Sequence, residues 1–267
     1  MGYYNQNNYT SVPYPSSAYP DATVKSGGCG VCCASMVVEE LTGKKWPPNQ
    51  SAAYSIAVGA RVSGGTDMKR LAACISKDFG LCHQTTSNID ILMEHLSKGM
   101  AIVNVGGNRA GYVGLFSDSG HFITAAGMKA GKMVIHDPGY YGGKFSKAGR
   151  AGKVAISGNE IYVDPALLDK DAENRSPKYY LFYKEDNDMD TLITRIANIA
   201  GLSETDTIKA LGVLAKFANI TEDAWEKDGV DYLIDAGLLT SPRDGRELVE
   251  FGELGVILKR LQESIRK

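Results

Sequence analysis

The sequence predicts an α+β fold, with helices packed on an antiparallel sheet, followed by a small all-α domain. Three observations carry this. Up to about residue 100, helix-like stretches lie between N-capping residues and glycine or proline stops. From Met100 to Lys184 the pattern changes to short strand-like runs divided by Gly, Asp, Asn and Pro clusters. Past an acidic stretch, Glu185 to Asp190, helical spacing returns and continues to the end. Helices first and a sheet second define the α+β class. The domains are placed at residues 1–187 and 188–267.

Taken in order, residues 1 to 28 have too little periodicity for a long element, and Tyr3 to Tyr19 read as an extended, aromatic-studded arm lying across the domain. The arm leads into Ser26-Gly27-Gly28-Cys29-Gly30, which opens a breaker-free apolar helix from Val31 to Leu41, ended by Gly43 and Pro47-Pro48. Helices are expected from Asn49 to Val58 and from Asp67 to Phe79, the latter stopped by Gly80. Leu81 to Thr86 reads as a strand. Asn88 caps a helix to Lys98, with Ile89, Leu92, Met93 and Leu96 on one face. Strands are expected at Ala101 to Val105, His121 to Met128, Lys132 to Asp137, Lys153 to Val163 and Lys178 to Lys184. In the tail, Asp190 or Thr191, Ser203, Thr221 and Phe251 begin four helices.

Bulk properties narrow the function classes. The formal net charge of -2 over 267 residues argues against a nucleic-acid footprint or attraction to anionic membranes. No apolar run approaches the roughly 20 residues that span a bilayer. Met1 to Pro20 lacks the basic and apolar regions of a secretory signal, so none is expected. Five cysteines, three of them between positions 29 and 33, suit free thiols in a reducing compartment. Asp186, Asp188 and Asp190 have calcium-loop spacing, but Thr191 and Ala197 stand where that loop needs Gly and Glu. A zinc site from the Cys29–Cys33 cluster with Cys82 and His83 lacks a second Cys-x-x-Cys, and neighbouring helix positions diverge. No cofactor or metal is expected.

Cys29 is placed for chemistry. A helix N-terminus favours thiolate, and the flanking glycines leave the sulfur approachable. The competing reading makes Cys29, Cys32 and Cys33 small core residues. A nucleophilic cysteine needs a base and a group that orients it. Of four histidines, His83 and His95 have no acid in an evident pairing position. His121 opens one strand of a hairpin and Asp137 closes the next. With a three-residue loop, Lys129-Ala130-Gly131, His121 faces Gly139 and Asp137 lies beside it on the same face. A two-residue loop would put His136 on that face instead.

Gly28-Cys29-Gly30 into a helix ending near Leu41-Thr42-Gly43, then Gly120-His121-Phe122, then His136-Asp137-Pro138, resembles the papain-like cysteine peptidases related to bacteriocin-processing peptidases, in the version found in phage endolysins. The resemblance spans roughly residues 3 to 184. It implies Cys29 as nucleophile, His121 as base and Asp137 as orienting acid. Tyr4-Asn5-Gln6-Asn7 looks like the family's Tyr-x-Gln arm, which implies Gln6 as an oxyanion donor beside the Cys29 backbone N–H. Where related sequences have Gly-Cys-Gly-Pro followed by Thr or Ala, this chain has Val31-Cys32-Cys33.

The implied function is that of a phage-type endolysin: a cysteine-dependent peptidoglycan hydrolase, endopeptidase or N-acetylmuramoyl-L-alanine amidase, acting through a thioester acyl-enzyme. Such a protein waits in the bacterial host cytoplasm until lysis and then meets the cell wall. Two other readings stand beside it: a cysteine peptidase processing a protein or peptide substrate, and a wall-adhering module with a vestigial catalytic face. In the tail, Trp225 through Leu261 looks like one degenerate S-layer-homology unit, with Phe251-Gly252-Glu253 in place of Thr-Arg-x-Glu. That resemblance implies wall-polymer binding; the plain reading is a helical bundle that docks or self-associates.

Overall fold

The computed structural model describes residues 2–184, together with Gly201, Ser203 and Thr205. The chain divides into two compact units, Met1–Glu185 and Asp186–Lys267. The four tail helices expected from the sequence and the S-layer-like stretch lie outside the described residues. Among the described residues no helix is long and apolar enough to cross a membrane.

The first unit is a mixed α/β structure. Its elements are α1 (Val24–Gly27), α2 (Cys29–Thr42), α3 (Pro48–Ala57), β1 (Arg61–Val62), β2 (Gly65–Thr66), α4 (Met68–Phe79), β3 (Cys82–Thr86), α5 (Ile89–His95), β4 (Met100–Val105), β5 (His121–Lys129), β6 (Lys132–His136), β7 (Val154–Ser157), β8 (Glu160–Val163), α6 (Pro165–Asp171) and β9 (Tyr179–Tyr183). Strands β3 to β9 form one seven-stranded sheet in the order β3-β9-β4-β5-β6-β8-β7, antiparallel at every pairing.

The central strands of the sheet are buried on both faces, and β4 shows why its sequence is apolar from Met100 to Val103. Met100 and Ile102 join the core shared with α2 and α4, while Ala101, Val103 and Val105 join a second core under α5 and α6. Strand β9 divides the same way, Tyr180 and Phe182 to one side and Tyr179 and Leu181 to the other. A strand covered twice has no polar face to offer. Helix α2 is the counterpart among the helices: every residue from Gly30 to Val38 is buried. It ends where Gly43 takes a left-handed conformation and returns its N–H to the Glu39 carbonyl.

Three details differ from the sequence reading. Lys153 to Val163 is two strands, β7 and β8, reversed at Gly158-Asn159, where Gly158 has φ +59°. Helix α6, capped by Asp164 with Pro165 in its first turn, and the small β1–β2 hairpin were not expected. The third concerns the hairpin that carries the site. Its loop has two residues, because Lys129 pairs with Lys132 and both Ala130 and Gly131 have positive φ, as a tight primed turn requires. A β-bulge between Ala125 and Gly127 then shifts the register by one, so Thr124 faces His136. The extra residue therefore sits inside β5. It keeps His136 on the face opposite His121, where the loop length alone would have put the two on the same face.

Candidate active site

Cys29 is the first residue of α2, with Gly28 at the cap position. At that end of a helix the backbone N–H groups are unused. The half-buried sulfur accepts hydrogen bonds from the amides of Gly30 and Phe122 and bonds to the His121 ring. Glycine is required at position 30 by crowding: a Cβ there would lie 2.8 Å from the Thr66 side chain.

His121 opens β5, and its Nε2 lies 2.8 Å from Asp137 Oδ1. That leaves Nδ1 for the sulfur. Asp137 is fully buried and its carboxylate accepts three hydrogen bonds: besides the His121 ring, Oδ1 accepts from the Gly139 N–H at 2.8 Å, and Oδ2 accepts from Lys144 Nζ at 2.5 Å. Gly139 follows from this packing, since a Cβ would stand 3.0 Å from the His121 ring. Lys144 begins a 3-10 turn, Lys144–Ser146, after the left-handed Gly143; it is itself buried and gives a second hydrogen bond to the Gly139 carbonyl.

The electrostatics follow from these contacts. Burial pushes the Cys29 thiol up, but the charge and hydrogen bond of His121, with the two amides, bring it below its ordinary value. Burial works against the imidazolium too, yet the charges of Asp137 and Cys29 and the bonds to both raise His121 to about 9. Asp137 loses solvation, and the charges of His121 and Lys144 nevertheless hold its carboxyl below the usual range. These contacts favour a thiolate–imidazolium pair, backed by the Asp137 carboxylate and Lys144.

The N-terminal arm completes it. The Gln6 N–H bonds to the Pro138 carbonyl at 2.8 Å, Tyr3 Oη to the Asp137 carbonyl at 2.7 Å, and Asn5 Nδ2 to the Tyr140 carbonyl at 2.7 Å. The Gln6 amide donates one N–H to the Lys25 carbonyl at 2.8 Å, which leaves its second N–H uncommitted. A cleft of about 340 Å³ is lined by Gln6, Cys29 and His121 together with Gly139, Tyr141 and Arg150. Arg150, almost wholly buried, braces its far wall through the Gly114 carbonyl at 2.7 Å and Asp118 at 2.6 Å.

All four residues singled out from the sequence thus meet: Cys29, His121, Gln6 and Asp137. His136 stays apart, its ring 5.9 Å from that of Tyr3. His83 stacks on Phe182, and His95 is held by the Met100 and Phe182 carbonyls. Cys32 and Cys33 are buried in α2, and burial raises both thiols well above their ordinary range. Lys144 and Arg150 were not anticipated. A lysine in a Gly-Gly loop looks like a solvated turn residue, and only the fold brings it onto a carboxylate seven residues back. No protein-family model matches this chain, and no curated protein matches it either.

Proposed function

We propose that this protein is a cysteine-dependent peptidoglycan hydrolase of the papain-like, phage-endolysin type. The observation that carries the reading is the buried chain Cys29–His121–Asp137 opening on a cleft. The Cys29 thiolate attacks an amide carbonyl of the wall peptide. Negative charge that develops on the carbonyl oxygen is met by the free Gln6 N–H and the Cys29 backbone N–H. The His121 imidazolium gives its proton to the departing amine, leaving a thioester on Cys29. His121, now neutral, takes a proton from water as the water oxygen attacks the thioester carbonyl; the C–S bond then breaks, its electron pair returns to sulfur, the carboxylic acid departs, and the thiolate–imidazolium pair is regenerated. Asp137 holds the ring in one tautomer throughout.

The test is digestion of purified bacterial walls by the full chain and by Cys29→Ala, with mass analysis of the newly exposed amine termini. Wall turbidity that falls for the parent and not for the variant supports the reading, and the termini name the amide cut. Equal lysis by both proteins removes Cys29 as nucleophile. Intact walls alongside cleavage of peptide amides would favour a processing peptidase.

A further inference from the structure

The catalytic cleft continues into a second chamber of about 530 Å³, and the two share Ser26, Gly27 and Gly64 along their common lip. The chamber contains a guanidinium built in a fixed pose. Arg61 Nε donates to the Tyr14 carbonyl at 2.9 Å, and Nη1 donates to the carbonyls of Val62 at 2.9 Å and Gly65 at 2.7 Å. Its Cζ lies 4.3 Å from the ring centroid of Tyr14, which is itself fully buried and bonded through Oη to Ser55 and Thr66. Nη2 meets no acceptor among the described residues and lies beside Gly27, on the shared lip. Asp21, the acid on the chamber wall, is exposed and forms no ion pair with it. A cation clamped by three carbonyls, with one edge left over, is prepared for an anion that is not part of this unit.

The chemistry orients the substrate across the two spaces. The leaving amine must stand against His121, next to Ser119 and Gly120, and Ser26 and Gly27, which precede Cys29 and border both spaces, give the acyl portion a path toward Arg61. We infer that Arg61 is a specificity residue that binds a carboxylate on the acyl side of the scissile amide, making acidic peptides the preferred substrate class. The inference rests on Cys29 as the attacking group and extends that reading to what the cleft selects.

The test uses the full chain carrying Cys29→Ala and dye-labelled acetyl tripeptide amides. Each carries one glutamate, L or D, at the first, second or third residue before the amide, or the glutamine isostere. At one position glutamate should bind about tenfold or more tightly than glutamine, the range of one charge-assisted hydrogen bond. Arg61→Gln should erase that preference and leave the glutamine peptide unchanged, with thermal unfolding confirming that the variant folds. Gly64→Asp, whose side chain enters open space, adds a carboxylate to the chamber that Arg61 lines without removing the guanidinium and should weaken the preference as well. Glutamate and glutamine binding alike at all positions, absence of binding included, overturns the inference, as does a loss in Arg61→Gln that is equal for both. Wall digestion is scored separately. Intact walls with a glutamate preference remove the wall reading and keep the Arg61 site, and lysed walls without the preference do the reverse.

Discussion

Replacing Lys144 by Met removes one buried cation at nearly constant length and puts the charge arrangement of the site to the test. Lys144 Nζ and His121 Nε2 grip opposite oxygens of Asp137, at 2.5 and 2.8 Å. The two cations are therefore separated by roughly 6 Å, which at an effective dielectric near 20 is worth ~3 kcal/mol, or about two pH units on the histidine. The sign is fixed: losing a positive neighbour makes every nearby group hold its proton more tightly. His121, already raised to about 9, goes higher, and the Cys29 thiol rises with it. Both limbs of the pH profile for alkylation of Cys29 by a neutral haloacetamide should move to higher pH, by about one unit or more after relaxation. Hydrolysis at neutral pH should slow, because a more basic imidazolium releases its proton less readily to the leaving amine. Both partners are buried, so the variant should also lose about 3 to 5 kcal/mol of stability. Unmoved limbs in a folded, destabilised variant would reduce Lys144 to a structural pin and refute the reasoning.

Three other outcomes are expected. On the proposed mechanism, Gln6→Ala removes one oxyanion donor and should lower kcat by about two orders of magnitude with little change in KM; a loss confined to KM would make Gln6 a binding residue. In the folded chain, peptide mapping after brief alkylation at pH 7 should find Cys29 labelled and Cys32 and Cys33 untouched, since burial raises both of those thiols; early label on Cys32 would contradict the assignment. The depressed carboxyl of Asp137 adds stability that is present above its unfolded value of about 4 and is lost as pH falls toward its native value. Denaturant midpoints should accordingly drop steeply below pH ~4, and this part of the drop should be missing in Asp137→Asn.

Much of this was legible in the chain, and the exceptions have physical causes. Helix α2 could be read from its glycine cap and unbroken apolar run, and β4 from the apolar run Met100 to Val103 that follows Gly99. These are local signals. The β7–β8 turn is also a local signal, a Gly-Asn pair at 158–159, but the residues on either side of it share one strand-like composition and read as one long strand. The hairpin register is a different matter. A two-residue turn and a one-residue bulge cancel, so Asp137 reaches the His121 side by a route that loop length alone predicts wrongly. Bulges leave little trace in sequence, and Gly127 is the single hint here. Lys144 and Arg150 leave none, since a buried lysine and a surface lysine are spelled alike until the fold supplies a carboxylate.

The presence of that lysine resolves a conflict within the site itself. A thiolate, an imidazolium and a carboxylate buried together carry one uncompensated negative charge, and an isolated buried charge is costly unless paired. Lys144 brings the sum to zero, which lets Asp137 remain ionised while desolvated. It also divides the pull of the carboxylate between two cations. Bound to His121 alone, Asp137 would raise the imidazolium further and strengthen the resting ion pair at the expense of proton transfer. Shared with Lys144, the same carboxylate still orients the ring through a 2.8 Å bond and holds the imidazolium proton less tightly than it would alone. The arm from Tyr3 to Gln6 acts on the same point from the other side, tying the Asp137 and Pro138 carbonyls. The carboxylate is thereby fixed through its backbone as well as its side chain, and Gln6 and, through Asp137, His121 are held by one short segment.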